Sequence, residues 1–251
     1  MRYSGAILAC VVGCLGAQIG WSADQIPTDA FVRTVYLVRH GAYDVSSDTD
    51  SPDGPGLVPL GIAQARLVGA RLRGLPATIT MLITSTMTRA RETAAVVHES
   101  LPSVPTQESN LLRECTPTMH VTVKSDAEAE KAQRACQATL DEVFRRYFAP
   151  AHDSEEHDVL VCHGNVIRYL VTKALGVDTR SWTGMMVGHA SLTVVRIRAN
   201  GSMAVLSVGD VGHLPANLQS GTFYDDPQLV MPKDVRAGMS SEASPINAKS
   251  H

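Results

Sequence analysis

The run Thr34-Val35-Tyr36-Leu37-Val38-Arg39-His40-Gly41 decides the architecture. From Thr34 to Arg39 it is short, β-branched and almost wholly apolar, which is the pattern of a strand buried on both faces. Strands of that kind belong to parallel sheets covered by helices. The Arg-His-Gly that closes the run falls at the carboxyl end of the strand, where open α/β sheets bind their ligands.

The same alternation continues outward. A loop rich in Ser, Asp, Gly and Pro spans Asp44 to Pro59. Leu60, Ala63, Leu67 and Ala70 then recur at helical spacing among Arg66, Arg71 and Arg73, until Gly74 and Pro76 stop the helix. Met81-Leu82-Ile83 reads as the next strand. After Ser85-Thr86, Ala90, Ala94, Val97 and Leu101 mark one face of a helix ending before Pro102. A longer helix is expected from Ala127 to Phe148, with Ala132, Cys136, Leu140, Val143 and Tyr147 as its inner stripe. Asp158 to Cys162 is a third buried strand, and Asn165 is expected to cap a helix carrying Val166, Ile167, Leu170, Val171 and Ala174 inward, closed by Gly176. Leu192–Arg198 and Met203–Val208 flank Asn200-Gly201, a hairpin signal. The expected fold class is α/β, with a mainly parallel central sheet flanked by helices on both faces and a C-terminal antiparallel hairpin.

The two ends read differently from this middle. Arg2 precedes an apolar run from Ala6 to Ile19, with no charge until Asp24. That is the pattern of a secretory signal, shorter than the ~20 residues of a comfortable membrane span. The expected division is a signal peptide or N-terminal membrane anchor over 1–23, a linker over 24–33, a catalytic domain over 34–217 and a flexible tail over 218–251. The leader directs the chain to export or to a membrane, with a mitochondrial membrane as the alternative. A net charge of −3 over 251 residues argues against wholesale binding of nucleic acid or acidic membranes. The membrane enters only through the N-terminal segment, and a homodimer is left open.

Cys10 and Cys14 fall in the leader, leaving Cys115, Cys136 and Cys162. With an odd number and no CxxC spacing, the expectation is three reduced, partly buried thiols, one bridge in an oxidising compartment being the alternative. No HExxH or similar spacing groups the nine histidines, so no metal and no cofactor is expected.

The strand ends gather a distinctive set of side chains. Strand one ends in Arg39-His40-Gly41, strand two in Ser85 with Arg89 opening the next helix, and strand three in His163-Gly164. Glu114 lies in the connection Leu111-Leu112-Arg113-Glu114. A neutral imidazole is a good nucleophile near pH 7, and cationic neighbours keep it neutral. Guanidinium groups hold phosphate oxygens and stabilise a phosphoryl group in flight. A carboxyl group can protonate a leaving alkoxide and then activate water. The amino end of the helix after His163 adds a modest preference for anions. Taken singly, Arg89 reads as a solvated helix face, His163 as a core histidine and Glu114 as unremarkable. Their joint placement at one rim points to phosphate chemistry.

Leu37-Val38-Arg39-His40-Gly41, Pro59-Leu60-Gly61 with Gln64-Ala65, Ser85 through Arg89-Ala90 with Thr93-Ala94, and Cys162-His163-Gly164 together resemble the histidine phosphatase, or phosphoglycerate mutase-like, superfamily. The match runs from about Thr34 to Pro215. Ser85 to Ala90, Leu111 to Glu114 and Cys162 to Tyr169 resemble its mitochondrial serine/threonine protein phosphatases, as do Asn200-Gly201 and Val208-Gly209-Asp210. The tryptophan-rich segment that precedes the domain in those proteins has no counterpart from Ala23 to Arg33. The resemblance implies that His40 is the phosphorylated nucleophile, that Arg39, Arg89 and His163 form the phosphate pocket, with His163 also catalytic, and that Glu114 is the acid. Gly164, His189 and His213 are carried as candidate substrate contacts.

The function expected is hydrolysis of phosphomonoesters through a phosphohistidine, on phosphoserine or phosphothreonine. Two other readings are a phosphatase or mutase for small phosphorylated metabolites and a non-catalytic phosphate-binding module. The mutase is disfavoured because Cys115-Thr116-Pro117 follows Glu114 where mutases carry an aromatic-glycine run. The binding module is disfavoured because every pocket residue is present.

Overall fold

The computed structural model describes residues 31–44, 51–120 and 126–221. The expected leader, most of the linker and the tail beyond residue 221 lie outside the described residues.

Six strands form one sheet: β1 (Arg33–Arg39), β2 (Met81–Ser85), β3 (Thr106–Ser109), β4 (Glu156–Cys162), β5 (Leu192–Ile197) and β6 (Met203–Asp210), in the order β3-β2-β4-β1-β5-β6. The first four run parallel. The β5–β6 hairpin joins at β1, and both of its pairings are antiparallel. The expected fold class therefore holds. β3 is an addition: a four-residue edge strand of Thr, Gln, Glu and Ser with only Ser109 buried, pairing on one side alone.

Four helices cover the sheet: α1 (Pro59–Arg73), α2 (Thr88–Ser100), α3 (Ala127–Tyr147) and α4 (Gly164–Ala174). Proline opens α1 at a position where its missing N–H costs nothing. The Asp126 side chain caps α3 by accepting from Ala129 N at 2.8 Å. The expectation for α4 needs correction. Its N-cap is His163, with no side-chain cap, and Asn165 sits inside the first turn with its side chain turned elsewhere.

The continuous apolar runs of β1 and β4 feed two cores by simple alternation. Val35 and Leu37, with Leu160 and Cys162, pack beneath α3 and α4 against Leu140, Val143, Ile167 and Leu170. Tyr36 and Val38, with Val159 and Val161, pack beneath α1 and α2 against Val68, Leu72, Ala94 and Val97. Each fully buried Leu or Val there contributes roughly 1.5–3 kcal/mol of transfer free energy. Two covered faces explain why these strands show no polar face in the sequence.

The cysteine expectation is also overturned. Cys115 and Cys136 form a disulfide between the loop after Glu114 and α3, and Cys162 is the free cysteine among the described residues, buried in the core. α3 turns Cys136 inward toward the loop carrying Cys115, a juxtaposition that spacing alone does not reveal.

Candidate active site

Register brings the rim together. In the parallel β1–β4 pair Arg39 lies opposite Cys162, so the next residues, His40 and His163, emerge side by side. Their ring centroids are 5.1 Å apart. Thr84 lies opposite Val161, which sets Ser85 level with the end of β4. Its Oγ is 2.8 Å from His163 Nε2. Arg89, in the first turn of α2, places its Nε 3.1 Å from His40 Nε2.

The state of His40 follows from its partners. Nδ1 lies 2.8 Å from the Gly41 carbonyl. A carbonyl only accepts, so Nδ1 carries the hydrogen and Nε2 presents a lone pair. That lone pair is what the Arg89 N–H meets. Burial first, then the neighbouring His163 ring and the Arg39 and Arg89 guanidinium groups, hold the His40 pKa well below the ordinary histidine value, against a smaller opposing effect of the Gly41 carbonyl. The imidazole is neutral at neutral pH. Burial, then Arg89 and Arg39, depress His163 in the same way.

The loop that holds His40 is shaped by close approach. A Cβ on Gly61 would lie 2.0 Å from the Ala42 carbonyl oxygen, and one on Gly41 would lie 2.5 Å from the Gly61 oxygen. Only hydrogen fits at either position, so α1 can press directly on the backbone after His40. Thr93 Oγ1 accepts from Gly41 N at 3.0 Å and donates to the Arg89 carbonyl at 2.7 Å, tying this loop to α2. Gln64, fully buried, accepts from Ala42 N and donates to Leu218 O and Ser220 Oγ.

The other rim residues surround the same point. Arg39 donates through one terminal nitrogen to the carbonyls of Val187 and Gly221, at 2.7 and 2.9 Å. Gly164 lies against its guanidinium. The His189 ring centroid is 5.5 Å from that of His40, and burial followed by Arg39 and Arg89 brings its pKa down to about 3. Ala190 beside it takes a left-handed φ of 51° and donates to the carbonyls of Arg39 and His40. His213, by contrast, is occupied with the Ala190 carbonyl and Arg71.

Glu114 approaches from the opposite side. Asn165 N donates to its Oε2 at 3.5 Å, and its Oε1 is enclosed without a hydrogen-bond partner among the described residues. Burial raises its pKa above the usual carboxylate range, against the opposing pull of the Asn165 N–H, Arg39, Arg89 and Arg168. His163 Nδ1 and His189 Nε2 are likewise enclosed and without partners. Unsatisfied buried polar atoms are rare, so three at one rim mark a place built to receive a polar group.

The contacts of Ser85, Thr93 and Gln64 were hidden although the residues stand in the motifs quoted above, and Tyr43 carried no signal of its own. The Tyr43 ring stands edge-on to His40 with centroids 5.1 Å apart, and the Arg89 guanidinium lies 4.7 Å from its centre. A β-branched or polar residue at each position has many bland uses, and only the fold reveals this one. Among the described residues no group of three or more His, Cys, Asp or Glu side chains is placed to hold a metal ion. A larger hollow of about 680 Å³ lies by Tyr36, Thr80 and His157, toward the amino ends of the strands and away from the rim.

A neutral imidazole with a lone pair on Nε2, guanidinium groups beside it and a carboxyl whose pKa burial raises can accept a phosphoryl group and supply the proton its leaving oxygen needs. Comparison with known proteins agrees with that chemistry. Residues 35–210 match the family model described as the histidine phosphatase superfamily (branch 1). The chain is 35% identical over 196 residues to serine/threonine-protein phosphatase Pgam5, mitochondrial, of Caenorhabditis elegans, covering 76% of this chain and 67% of that protein. It is 33% identical over 193 residues to the PGAM5 protein of the same description from Xenopus laevis, covering 76% and 70%. In structure it is similar to phosphoglycerate mutase from Bacillus anthracis, with a TM-score of 0.57 at 21% identity over 74% of this chain and 96% of that one.

Proposed function

The chain belongs to the histidine phosphatase superfamily (branch 1) and is a phosphatase that hydrolyses phosphomonoesters through a phosphohistidine, and we propose that His40 is the residue phosphorylated. The observation that carries this reading is the Gly41 carbonyl on His40 Nδ1, which leaves Nε2 as the nucleophilic atom beside Arg89.

In this reading the substrate phosphate enters between Arg39 and Arg89, displacing the Arg89 Nε from the His40 lone pair. His40 Nε2 attacks phosphorus as the ester oxygen departs. Arg39 and Arg89 balance the charge on the transferring group, and His163, held by Ser85 through Nε2, donates to it from Nδ1. Glu114 gives its proton to the leaving oxygen. Its carboxylate then takes a proton from a water that attacks the phosphohistidine, restoring His40 and releasing phosphate. Gly164 and His189 line the pocket as substrate contacts.

We take the substrate to be phosphoserine or phosphothreonine in a protein. The support is that the relatives from Caenorhabditis elegans and Xenopus laevis are serine/threonine-protein phosphatases. The likeness to a mutase is one of fold alone. We place the catalytic domain at residues 34–217, and the enzyme in an oxidising compartment outside the cytosol. The Cys115–Cys136 disulfide supports that location. The mitochondrial location of the relatives favours an organelle over export.

The test is to trap the intermediate. Protein quenched during turnover of a labelled phosphoseryl peptide should carry label that acid removes and alkali does not, as a phosphoramidate requires. His40→Ala, folded by circular dichroism, should carry none. Label that survives in that variant overturns the assignment.

A further inference from the structure

Glu114 sits in a segment without helix or strand, after a short 3-10 turn at Asn110–Leu112 and ahead of α3. On its upstream side it is well held. Arg113 donates to Asp53 at 2.6 Å, to Thr86 Oγ1 at 3.1 Å and to the Pro52 carbonyl at 2.6 Å, and Leu112 is fully buried. On its downstream side the very next residue, Cys115, is bonded covalently to Cys136. Cys136 belongs to the buried stripe of α3, which packs on the sheet. The Cys115 carbonyl also accepts from Asn165 Nδ2 at 3.1 Å.

The carboxyl needs that restraint. Its Oε1 is enclosed and unpartnered, and its Oε2 has only a long contact to Asn165 N. A carboxyl in that state is drawn toward water, and a segment with no regular structure offers little resistance to a rotation that would let it out. Hydrogen bonds to the neighbouring backbone exchange with water at small net cost. A covalent bond one residue away does not.

We propose that the Cys115–Cys136 disulfide is a positioning element for catalysis, fixing Glu114 against the phosphate pocket so that it protonates the leaving group. The proposal rests on Glu114 being the acid. It makes turnover of substrates with poor leaving groups depend on the oxidised state of this pair. The phosphate pocket itself, built from β1, α2 and α4, does not depend on it. Cys162, the other cysteine among the described residues, is fully buried and takes no part.

The full chain is assayed with an alkyl phosphomonoester and with p-nitrophenyl phosphate, whose leaving group departs without a proton. Wild type is measured before and after dithiothreitol. The reductant is oxidised to its cyclic disulfide as the S–S bond breaks and each sulfur takes up one electron and one proton. The same pair of substrates is run on Cys115→Ser/Cys136→Ser and, separately, on Glu114→Gln. Since general acid catalysis is worth ~10²–10⁴-fold, partial displacement of the acid should lower kcat on the alkyl ester by about 10–10²-fold. The loss on p-nitrophenyl phosphate should be much smaller, and vanadate inhibition should be unchanged. Reoxidation should restore wild type, and dithiothreitol should not affect the double variant. A uniform fall on both substrates, or no fall, overturns the proposal. If Glu114→Gln shows the leaving-group bias while reduction does not, the disulfide role fails and the acid assignment stands. If Glu114→Gln itself slows both substrates alike, the acid assignment fails. Should the double variant not fold, reduction of wild type carries the test alone.

Discussion

Arg89 Nε lies 3.1 Å from His40 Nε2, on the one imidazole atom that holds a lone pair. The guanidinium therefore serves two partners in turn: the resting histidine, and then the phosphoryl group that takes the lone pair.

That double use sets the expectation for Arg89→Ala. It should lower kcat by ~10²–10³-fold, the usual cost of one electrostatic donor in a closed site. Alkyl and p-nitrophenyl phosphates should suffer alike, and vanadate should inhibit more weakly. Arg89→Lys should recover only part, because an ammonium lacks the planar fork. Steady-state kinetics with both substrates checks this, and a loss confined to the alkyl ester would contradict the role given to Arg89.

Glu114 should impose an alkaline limit on one substrate class. Its pKa is raised by burial, so the acid form persists above the usual carboxylate range and is lost as pH climbs through the raised value. The kcat for an alkyl ester should decline across that limb, and p-nitrophenyl phosphate should show little of it. In Glu114→Gln the limb should vanish as the rate falls. A limb that persists in the variant would assign it to another group.

The buried histidines make stability sensitive to acid. His40 and His163 stay neutral in the fold well below the ordinary histidine value, and His189 does so down to about 3. The unfolded chain takes up these protons near pH 6.5. Their depressed folded values mean the stability they permit is full above about pH 6.5 and is lost as pH falls toward the folded values. Each contributes at most ~1.4 kcal/mol per pH unit within its window. Urea unfolding between pH 7 and pH 4 should show the decline, with a shallower slope in His189→Gln. An unchanged slope would mean that His189 is protonated in the folded state.

The close approach of α1 predicts an intolerance at Gly61. Ala there would set its Cβ on the Ala42 backbone, which no rotamer change relieves. Overpacking costs ~1–3 kcal/mol, and here it also displaces the segment whose Gly41 carbonyl orients His40. Gly61→Ala should lower the melting temperature and reduce turnover together. Full activity at a lowered melting temperature would show that the strain relaxes away from His40.

The sequence conveyed different parts of this molecule unequally. β1, β4, α2 and α4 were legible because burial on both faces, or on one helical stripe, leaves a periodic trace. The existence of α1 was legible but its inner face was not: Gly61, Gln64, Ala65, Val68, Gly69 and Leu72 are buried in place of the Leu60, Ala63, Leu67 and Ala70 stripe, and α3 turns inward from Cys136 onward while Ala132 is exposed. β3 was not, because a polar edge strand of four residues has no buried face to record. Arg39, His40, Arg89 and His163 were readable as strand-end residues. The attachment of Ser85 to His163 was not, since it depends on the register of β2 against β4. The pairing of Cys115 with Cys136 was equally hidden, because a helix and an irregular loop share no period. Asn165 was misread as a cap because its type suits one, although its amide turns to the Cys115 carbonyl instead.

The Gly221 carbonyl on Arg39, and the Leu218 and Ser220 contacts of Gln64, draw the segment after β6 onto the same rim as β1. The anion site is thus assembled from segments far apart in the described chain, so loss of any one of them should weaken it. An oxyanion that occupies it should therefore be thermodynamically linked to unfolding of the domain. At a hundredfold excess over its dissociation constant, such a ligand adds about 2.7 kcal/mol to the whole fold. Inorganic phosphate, if it occupies the site as product, should then raise the melting temperature as well as compete with substrate.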